Sequence, residues 1–532
     1  MKKFFLSIAL IAGVVLYAGA QHVSAPNKIA NAARIIDRYY VDNVNIDSLV
    51  EQAIISMLHD LDPHSQYSNA EETQALTEPL EGNFSGVGIS FNMTADTLYV
   101  IETVADGPCQ RAGVLAGDRI ITVNDTIIAG VKMSNKDIMK RLRGPKGTKV
   151  KIGIKRGSGP ELIEFVITRD NIPINSVGAV YMVQPEVGFI EITRFAEKTP
   201  QEFQEALKKL KKKGMRHLII DLTSNGGGYL TSATDIAQLF VPRDSTIVST
   251  KGENFSEKRY INPGNPDPEI DRLVVMVDRY TASASEILAG AIQDFDRGVI
   301  VGRRTFAKGL VQRPFPFADG SMIRLTIARY YTPSGRCIQK PYQKGQDEQY
   351  FSDIYDRYAA GELTSADSIH LDPDQQFTTL ISHRPVYGGG GIMPDVFVPA
   401  DTTAYSTYLR DLIAKGVIQK YAIGYVDANR KAIKKQYRTR EAFAEKFKVS
   451  EEMLTDFKQL ALADSVKFDA EGYARSYNLI CTNIKALIGR DVYDFDTSRI
   501  IFNPSDEIFR EALEVIIDPE KYNSLLQAPA NQ

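Results

Sequence analysis

The stretch LVVMVDRYTASASEILAGAIQDFDRGVIVG, residues 273–302, decides the fold. An apolar run ends at Asp278, a short polar turn follows, small and apolar residues recur at helical spacing, and a second apolar run closes the stretch. Strands that alternate with helices predict parallel pairing under a helical cover. The alternation extends upstream, with strand patterns VGFIEI (187–192) and HLIIDL (217–222) and helical patterns at 199–214 and 229–241. We therefore expect a mainly parallel α/β sheet.

The helical pattern TPQEFQEALKKLKKKG, residues 199–214, carries signals for both of its ends. Thr199 is placed to cap the helix, Pro200 suits its first position, and Glu202 would complete a capping box with Thr199. Gly214 marks the expected end of the helix.

The first residues predict export. MKKFFLSIALIAGVVLYAGAQ has two lysines, an apolar run from Phe4 to Tyr17 and small residues up to Ala20. This is the pattern of a secretory signal peptide, and the apolar run is short for a membrane span. We expect cleavage after Ala20 and a periplasmic location. A signal that stays uncleaved and anchors the chain in the membrane is the alternative interpretation.

Bulk composition excludes several classes of protein. With 532 residues the chain is too long for one core, so several domains are expected. A net charge of −3 gives no support for nucleic-acid binding. Cys109, Cys337 and Cys481 are too few and too scattered for a disulfide framework.

The patterns divide the chain into five segments. Residues 1–20 are the signal, 21–82 are helical, 83–178 form short strands of a compact β domain, 179–400 alternate strands and helices, and 401–532 are helical and highly charged. One helix is expected inside the β domain, at SNKDIMKRLRG, with Ser134 as its N-cap. The expected fold class is thus a multidomain α/β protein.

Two loops of the α/β segment are candidates for a functional site, because such sites form beyond the carboxyl ends of parallel strands. YTASASE (280–286) offers Ser283 and Ser285, which could be helix caps or a nucleophile. DLTSNGGGYL (221–230) offers glycines that could form a tight turn or present N–H groups to a developing negative oxygen. Composition alone leaves both alternatives open.

A nucleophilic serine needs a base within reach. None of the six histidines has metal-pair spacing with another histidine or a cysteine, so no metal is expected, and nothing favours a serine–histidine triad. Lys308 lies in a glycine-bounded loop beside Phe306, Leu310 and Val311. If those neighbours bury the amine, its pKa falls and it can accept a proton. Otherwise it is an ordinary exposed lysine.

The segment YTASASEILAGAIQDFDRGVIVGRRTFAKGLVQ, residues 280–312, resembles the serine–lysine region of the carboxy-terminal processing peptidases, also called tail-specific proteases. The resemblance implies a crotonase/ClpP-like peptidase core with Ser283 as nucleophile, Lys308 as general base and Gln312 as the residue that orients the lysine. It also implies an oxyanion hole formed by the backbone N–H groups of Gly227 and Ala284. Four positions depart from the family pattern, with Thr223 for an arginine, Gly226 for a proline, Ala307 for a glycine and Cys337 where serine is common.

The β segment resembles a PDZ domain, in FSGVGISF (84–91), ADGPCQRAGVLAGDRIITVND (105–125) and GPKGTKVKIGIKR (144–156). Such domains bind a peptide C-terminus by strand addition. The resemblance implies that Gly86, Val87, Gly88 and Ile89 bind the terminal carboxylate of a protein substrate. It implies an endopeptidase that needs no cofactor. Two other functional classes remain. One is an inactive PDZ scaffold that binds C-termini. The other is an acyl-CoA enzyme of the related crotonase fold, but the predicted export argues against it.

Overall fold

A computed structural model describes residues 24–94, 96–104, 106–157, 159 and 161–528. The predicted signal peptide, residues 1–20, lies outside the described residues. The described chain begins with helices and one short strand: α1 (Ala25–Tyr39), α2 (Ile46–His59), β1 (Gln66–Ser68) and α3 (Ala70–Glu81). Asn69 caps α3 through its side chain and Gly82 follows it in a left-handed conformation. None of the helices in the part of the chain that the structure covers is both long and apolar enough to cross a membrane.

The β segment forms one open sheet and a separate strand pair around its own apolar core. Its elements are β2 (Asn83–Gly86), β3 (Ile89–Thr94), β4 (Thr97–Thr103), α4 (Pro108–Ala112), β5 (Arg119–Val123), β6 (Thr126–Ile127), α5 (Asn135–Leu142), β7 (Lys149–Lys155), β8 (Ile163–Thr168) and β9 (Asp170–Pro173). The main sheet has the order β3-β4-β5-β7-β8, and β2 pairs with β9. The Ser134 hydroxyl accepts the N–H of Asp137 at 3.1 Å, so the predicted cap of α5 is confirmed. Strand β3 lies at the edge of this sheet.

The α/β segment is built from many elements: β10 (Val177–Gln184), β11 (Val187–Ile192), α6 (Thr199–Lys211), β12 (His217–Asp221), α7 (Leu230–Ala237), β13 (Thr246–Gly252), β14 (Phe255–Ile261), β15 (Leu273–Val277), α8 (Ala284–Asp294), β16 (Val299–Gly302), β17 (Leu310–Pro316), β18 (Met322–Tyr331), α9 (Asp347–Ala359), β19 (Gln376–Thr378), β20 (Pro385–Tyr387) and β21 (Val396–Phe397). The central sheet has the order β10-β11-β12-β15-β16-β21. Every pair in it is parallel except β10 with β11. The expected mainly parallel sheet is confirmed.

The predicted capping box of α6 is wrong. The Thr199 hydroxyl accepts the N–H of Ala196 at 2.7 Å and donates to Ser176 at 2.6 Å. The Glu202 carboxylate accepts two backbone N–H groups and the hydroxyl of the 176–177 segment instead of returning to the helix end. Both side chains therefore fasten the helix to β10, a tertiary use that the local sequence does not reveal.

A second sheet lies beside the central one and receives the N-terminal segment. Its order is β1-β18-β13-β14, and β17 pairs along the other edge of β18. Strand β1 runs antiparallel to β18, with Gln66 opposite Arg324 and Ser68 opposite Met322. Strand β1, which precedes the β domain in the chain, thus belongs to the same sheet as β17, the strand that follows the candidate lysine loop.

The C-terminal segment is helical: α10 (Thr407–Ala414), α11 (Val417–Gln436), α12 (Arg440–Lys446), α13 (Glu451–Ala463), α14 (Ala470–Val492), α15 (Phe495–Phe502), α16 (Glu507–Ile517) and α17 (Pro519–Leu525). Helices α10 to α15 share one apolar core. Helix α16 covers the central sheet on the face opposite α6, α7 and α8, where Ile508, Phe509 and Val515 are buried. The predicted class, a multidomain α/β fold with helical N-terminal and C-terminal regions, is confirmed.

Candidate active site

Ser283 lies between the end of β15 and the start of α8, at the carboxyl edge of the central sheet. Asp278 shapes the preceding turn by accepting the N–H groups of Tyr280 and Thr281 at 2.9 and 3.0 Å. Ser283 itself has φ 58° and ψ −116°, a conformation that L-residues rarely adopt and that costs about 1–3 kcal/mol. A strained residue at this position indicates that the surrounding fold holds its side chain in a fixed direction.

Ser285 has a structural role. Its side chain is fully buried, and its hydroxyl donates to the carbonyl oxygen of Asn225 at 3.0 Å. The hydroxyl thus links α8 to the glycine loop. Of the two serines that the sequence offered, Ser283 remains the candidate nucleophile.

Lys308 lies in the loop between β16 and β17. Burial lowers the pKa of its amine to about 8, and the positive charge of Arg324 acts in the same direction. The carboxylates of Glu286 and Asp62 oppose this shift without cancelling it. An amine with this pKa is partly neutral near neutral pH and can accept a proton.

Glu286 and Tyr330 bring the backbones of Ser283 and Lys308 together. Oxygen Oε2 of Glu286 accepts the N–H of Ser283 at 2.7 Å and the N–H of Lys308 at 2.9 Å. Its Oε1 accepts the N–H of Ala307 at 2.8 Å and the Thr305 hydroxyl. The Tyr330 hydroxyl lies 3.2 Å from the carbonyl oxygen of Ser283 and 2.8 Å from that of Lys308.

The side chains of the proposed dyad are not bonded to each other in this arrangement. Among the described residues, no hydrogen bond joins the Lys308 amine to the Ser283 hydroxyl. The Gln312 amide donates to the hydroxyl of Thr326 at 3.3 Å and to the carbonyl oxygen of Leu310 at 3.4 Å. Gln312 therefore contacts the neighbouring strand rather than the amine it was expected to orient.

The glycine loop packs directly against the nucleophile turn. A Cβ on Gly227 would lie 2.7 Å from the oxygen of Ala282, 2.8 Å from Cβ of Ser283 and 2.9 Å from the nitrogen of Ala284. The Gly227 N–H donates to Oδ1 of Asn225 at 2.9 Å, so in this arrangement it is already bonded. Ala284 is the first residue of α8, where backbone N–H groups have no partner within the helix.

The candidate carboxylate loop of the β domain lies at the junction of β2 and β3. Gly86, Val87 and Gly88 are buried, and Gly88 has a φ of +74°. The loop carbonyls of Val87 and Gly88 accept the N–H groups of Cys109 and Val104, each at 3.0 Å. Ile89 begins the edge strand β3, which pairs with β4 on one side.

Known protein families match four parts of the chain. Peptidase family S41 matches residues 186–346, the PDZ domain 85–166, and the activating protease CtpB N-terminal domain 17–73. A family of unknown function, DUF8443, matches residues 408–494. The carboxy-terminal processing protease CtpB of Bacillus subtilis (strain 168) is 33% identical over 362 residues, which is 68% of this chain and 74% of that protein. The chain belongs to the carboxy-terminal processing protease family.

A second curated relative agrees with this assignment to the carboxy-terminal processing protease family. A carboxy-terminal-processing protease of Bartonella bacilliformis (strain ATCC 35685 / KC583 / Herrer 020/F12,63) is 33% identical over 62% of this chain and 80% of its own. The solved structure of a photosystem II D1 C-terminal processing protease is similar over 70% of this chain and 93% of its own, with 26% identity and a TM-score of 0.35. The family matches and the two curated relatives show that the chain is a protease with a PDZ domain.

The departures from the family pattern are accommodated locally. Ala307 stands where the family motif has glycine, and it keeps a φ of 74° with its methyl group buried. Thr223, in place of arginine, bonds to Oδ1 of Asp221 through both its N–H and its hydroxyl, at 2.8 and 2.7 Å. At Gly226, in place of proline, an added Cβ would meet no heavy atom within 4 Å. None of these substitutions removes a group that the proposed chemistry uses.

Sequence reasoning missed three residues of the candidate active site. Glu286 had a signal, because a carboxylate inside the apolar helical pattern ASEILAGAIQDF needs buried partners. Tyr330 and His64 had no such signal in the sequence, because only the tertiary fold brings these distant residues close to the site. His64 is buried, and burial together with the charge of Lys308 lowers its pKa to about 3. Among the described residues there is no cluster of three or more potential metal ligands.

Proposed function

We propose that this chain is an exported serine endopeptidase that cleaves peptide bonds with Ser283 as nucleophile and Lys308 as general base. The observation that carries the proposal is the buried Glu286 carboxylate, which accepts N–H groups from both residues. A lysine held at that place with a pKa of about 8 has the acid–base strength the reaction needs. The strained backbone of Ser283 supports the same role.

The reaction is an acyl transfer. The neutral amine of Lys308 accepts the hydroxyl proton as the oxygen of Ser283 attacks the substrate carbonyl, and the carbonyl oxygen becomes an oxyanion. The tetrahedral intermediate collapses when the Lys308 ammonium donates that proton to the leaving amine. Water then attacks the acyl-serine and gives a proton to Lys308. The ester bond to Ser283 breaks, Lys308 returns the proton to the serine oxygen, and the new C-terminus is released.

The oxyanion requires backbone donors. The Ala284 N–H at the N-terminal end of α8 is one candidate, and the positive end of the helix dipole adds to its effect. The Gly227 N–H becomes the second once Asn225 releases it. Each such donor is worth about 3 kcal/mol in the transition state. The Gly227 N–H is hydrogen-bonded to Asn225, and the Lys308 amine is not hydrogen-bonded to the Ser283 hydroxyl. Both features support a resting state that rearranges when substrate binds.

Substrate tails are the proposed ligands of the PDZ domain. Strand β3 has one edge free of pairing among the described strands, and a peptide could extend the sheet there. The loop Gly86-Val87-Gly88-Ile89 at the start of β3 would receive the terminal carboxylate. Binding of the tail would then raise the local concentration of the scissile segment near Ser283.

The location of the protein is part of the proposal. Lys2, Lys3 and the apolar run that follows support secretion, with cleavage after Ala20 and release into the periplasm. Cell fractionation and N-terminal sequencing of the mature chain test this. A mature N-terminus at Gln21 is expected. An intact Met1 in the membrane fraction would support the uncleaved anchor instead.

The test of activity compares four purified proteins: wild type, Ser283→Ala, Lys308→Ala and the matched control Lys344→Ala, whose side chain is exposed. The substrates are dye-labelled casein and a panel of peptides with different C-termini. Cleavage by the wild type and the control, with loss of at least about 10³-fold in the other two, is expected. Equal cleavage by all four would contradict the site. Binding of peptides without cleavage by any would favour the inactive PDZ scaffold.

A further inference from the structure

The segment between α2 and β1 is buried against the peptidase core. Asp62, His64 and Ser65 are 5%, 6% and 5% exposed, although they precede the PDZ domain in the chain. Strand β1 follows at once and pairs with β18, which in turn pairs with β17. Gln312 lies on β17 directly opposite Thr326 of β18. The N-terminal segment therefore contacts β18. Strand β18 lies beside β17, which begins directly after the Lys308 loop.

Asp62 is the centre of a hydrogen-bond network that ends at Gln312. Its Oδ1 accepts the hydroxyl of Thr326 at 2.9 Å, and its Oδ2 accepts the hydroxyl of Ser65 at 2.6 Å. The Ser65 oxygen in turn accepts the N–H of Thr326 at 3.0 Å. The Thr326 hydroxyl accepts from the Gln312 amide at 3.3 Å. Thr326 is thus held by two residues of the N-terminal segment while it holds Gln312.

The Asp62 carboxylate also has its own local partners. It accepts the N–H groups of His64 and Ser65 at 2.9 and 3.0 Å, which fixes the turn of the segment. A carboxylate with four donors directed at it is a rigid support, because each bond restricts the same two oxygens.

A second connection leads from His64 to the backbone beside Lys308. The His64 ring nitrogen Nε2 lies 3.0 Å from the hydroxyl of Tyr350, which accepts the Gln339 amide at 3.1 Å. The Gln339 oxygen accepts the N–H of Gly309 at 2.8 Å. Two paths, one through Thr326 and one through Tyr350, thus run from this segment to Gln312 and Gly309, which both follow Lys308 in the chain.

Charges from the same region act on Lys308. Its charged neighbours are Asp62 from the N-terminal segment, Glu286 from α8 and Arg324 from β18, and His64 is coupled to it as well. Asp62 raises the pKa of the amine and Arg324 lowers it. The guanidinium of Arg324 is itself held by the segment, because its Nη2 donates to the Gln66 side chain at 2.7 Å.

We propose that residues 62–66 are a positioning element of the peptidase site, in which Asp62 acts through Thr326 on Gln312 and fixes the loop that carries the general base. The proposal rests on the proposed function of Ser283 and Lys308. The peptidase site is then complete only with residues 62–66. These residues precede the PDZ domain in the chain, whereas Ser283 and Lys308 follow it. None of these residues touches the reacting atoms, so each is a positioning residue.

The first test removes one link. Thr326→Val keeps the shape of the side chain but removes the hydroxyl between Asp62 and Gln312, and Thr326→Ser restores it. We expect Thr326→Val to lower kcat about tenfold with KM within about twofold, and Thr326→Ser to recover most of the loss. The matched control is Tyr67→Phe on the neighbouring strand β1, which removes a hydrogen bond from the Tyr67 hydroxyl to Glu51. Equal kcat values for Thr326→Val and Tyr67→Phe would overturn the proposal.

The second test uses a readout that a purely structural role would not move. The pH at which kcat/KM is half-maximal is measured for Asp62→Asn and Arg324→Gln. Loss of the Asp62 charge removes an effect that raises the pKa of Lys308, so the midpoint moves to lower pH. Loss of the Arg324 charge removes an effect that lowers it, so the midpoint moves to higher pH. Unchanged midpoints in both variants would contradict the role of the segment.

Different results would refute the peptidase function and the positioning role of residues 62–66. An inactive wild type, or a Ser283→Ala variant as active as wild type, would refute the peptidase function itself. If Ser283→Ala is inactive while the Thr326, Asp62 and Arg324 variants behave like Tyr67→Phe, only the positioning role is refuted. Circular dichroism and melting temperatures of all variants identify any loss of folding, and the pair Thr326→Val and Thr326→Ser keeps the test decisive if Asp62→Asn is unstable.

Discussion

Oxygen Oε2 of Glu286 accepts the backbone N–H of Lys308 at 2.9 Å, although the two residues lie 22 positions apart in the chain. The same oxygen accepts the N–H of Ser283. Because an ionised carboxylate only accepts, it can satisfy all of its surrounding donors at once. Burial raises the pKa of Glu286, and these hydrogen bonds oppose the rise. A single buried side chain thus sets the distance between the backbones of the nucleophile turn and the lysine loop.

Glu286→Gln should damage both stability and activity. The amide turns one acceptor into a donor that faces other donors, so we expect a loss of about 2–4 kcal/mol in the free energy of unfolding and at least about a 100-fold loss in kcat/KM. Denaturant unfolding and initial rates measure the two effects. The control is Glu253→Gln, an exposed residue in the turn between β13 and β14. A Glu286→Gln variant with the rates of this control would show that the shared carboxylate is dispensable.

Gly227 and Gly226 form a matched pair for the oxyanion loop. Gly227→Ala would place a methyl group within 3 Å of the Ser283 turn, at a φ of +99°. Gly226→Ala meets nothing within 4 Å. We expect at least about a 100-fold loss of kcat/KM for the first and less than about a twofold loss for the second. If both alanine variants are equally active, the close approach of the loop to the nucleophile is not needed for catalysis.

The backbone strain at Ser283 predicts an unusual stability order. Glycine adopts a φ of 58° and a ψ of −116° without strain, whereas alanine keeps the Cβ that makes this conformation costly. Relief of strain should outweigh the greater flexibility of unfolded glycine, so Ser283→Gly should be about 1 kcal/mol more stable than Ser283→Ala. Both variants should be inactive. Differential scanning calorimetry gives the comparison, and an alanine variant as stable as the glycine variant would show that the turn is unstrained.

The sequence predicts the central sheet well because each strand there carries a local signal. Val274, Val275 and Met276 belong to an apolar run that ends in a turn, and such runs with helices between them leave few topologies. Ser283 and Lys308 could be selected for the same reason, since each follows a strand of that sheet. The resemblance to the family assigned their roles, which neither composition nor spacing could do.

What the sequence does not reveal depends on contacts between distant segments. Nothing near Asp62 indicates that it bonds to Thr326, because 264 positions separate them. The sequence also gives no signal for the pairing of β1 with β18. Strand β1 has only three residues, which is too few to show the alternation of apolar and polar residues that predicts a strand. Glu202 follows the capping-box spacing and yet bonds to Ser176, because tertiary partners outcompeted the helix end.

The C-terminal helical segment contacts the PDZ domain through an ion pair. Nη2 of Arg119 lies 2.7 Å from Oδ2 of Asp427, and the two side chains are 25% and 27% exposed. Charge reversal at either position, Arg119→Asp or Asp427→Arg, should loosen this contact and raise hydrogen exchange in Arg119–Val123. The double swap should restore protection, with a coupling of about 0.5–1 kcal/mol.

The control for this ion pair is the same swap at Arg216 and Glu186, which are 61% and 57% exposed. Solvent screens such a pair, so no measurable coupling is expected there. If exchange in Arg119–Val123 is unchanged in both single reversals, the C-terminal helices do not hold the PDZ domain through this pair.

The pH dependence of cleavage follows from the pKa of about 8 for Lys308. Only the neutral amine accepts the serine proton, so kcat/KM should fall as the pH drops below about 8 and level off above it, with a single ionisation. Lys308→Arg should be inactive across the range, because a guanidinium stays charged. Initial rates with an uncharged peptide substrate give the profile, and circular dichroism at each pH separates titration from unfolding. A midpoint near 6.5 would indicate a histidine base and would remove Lys308 from the mechanism.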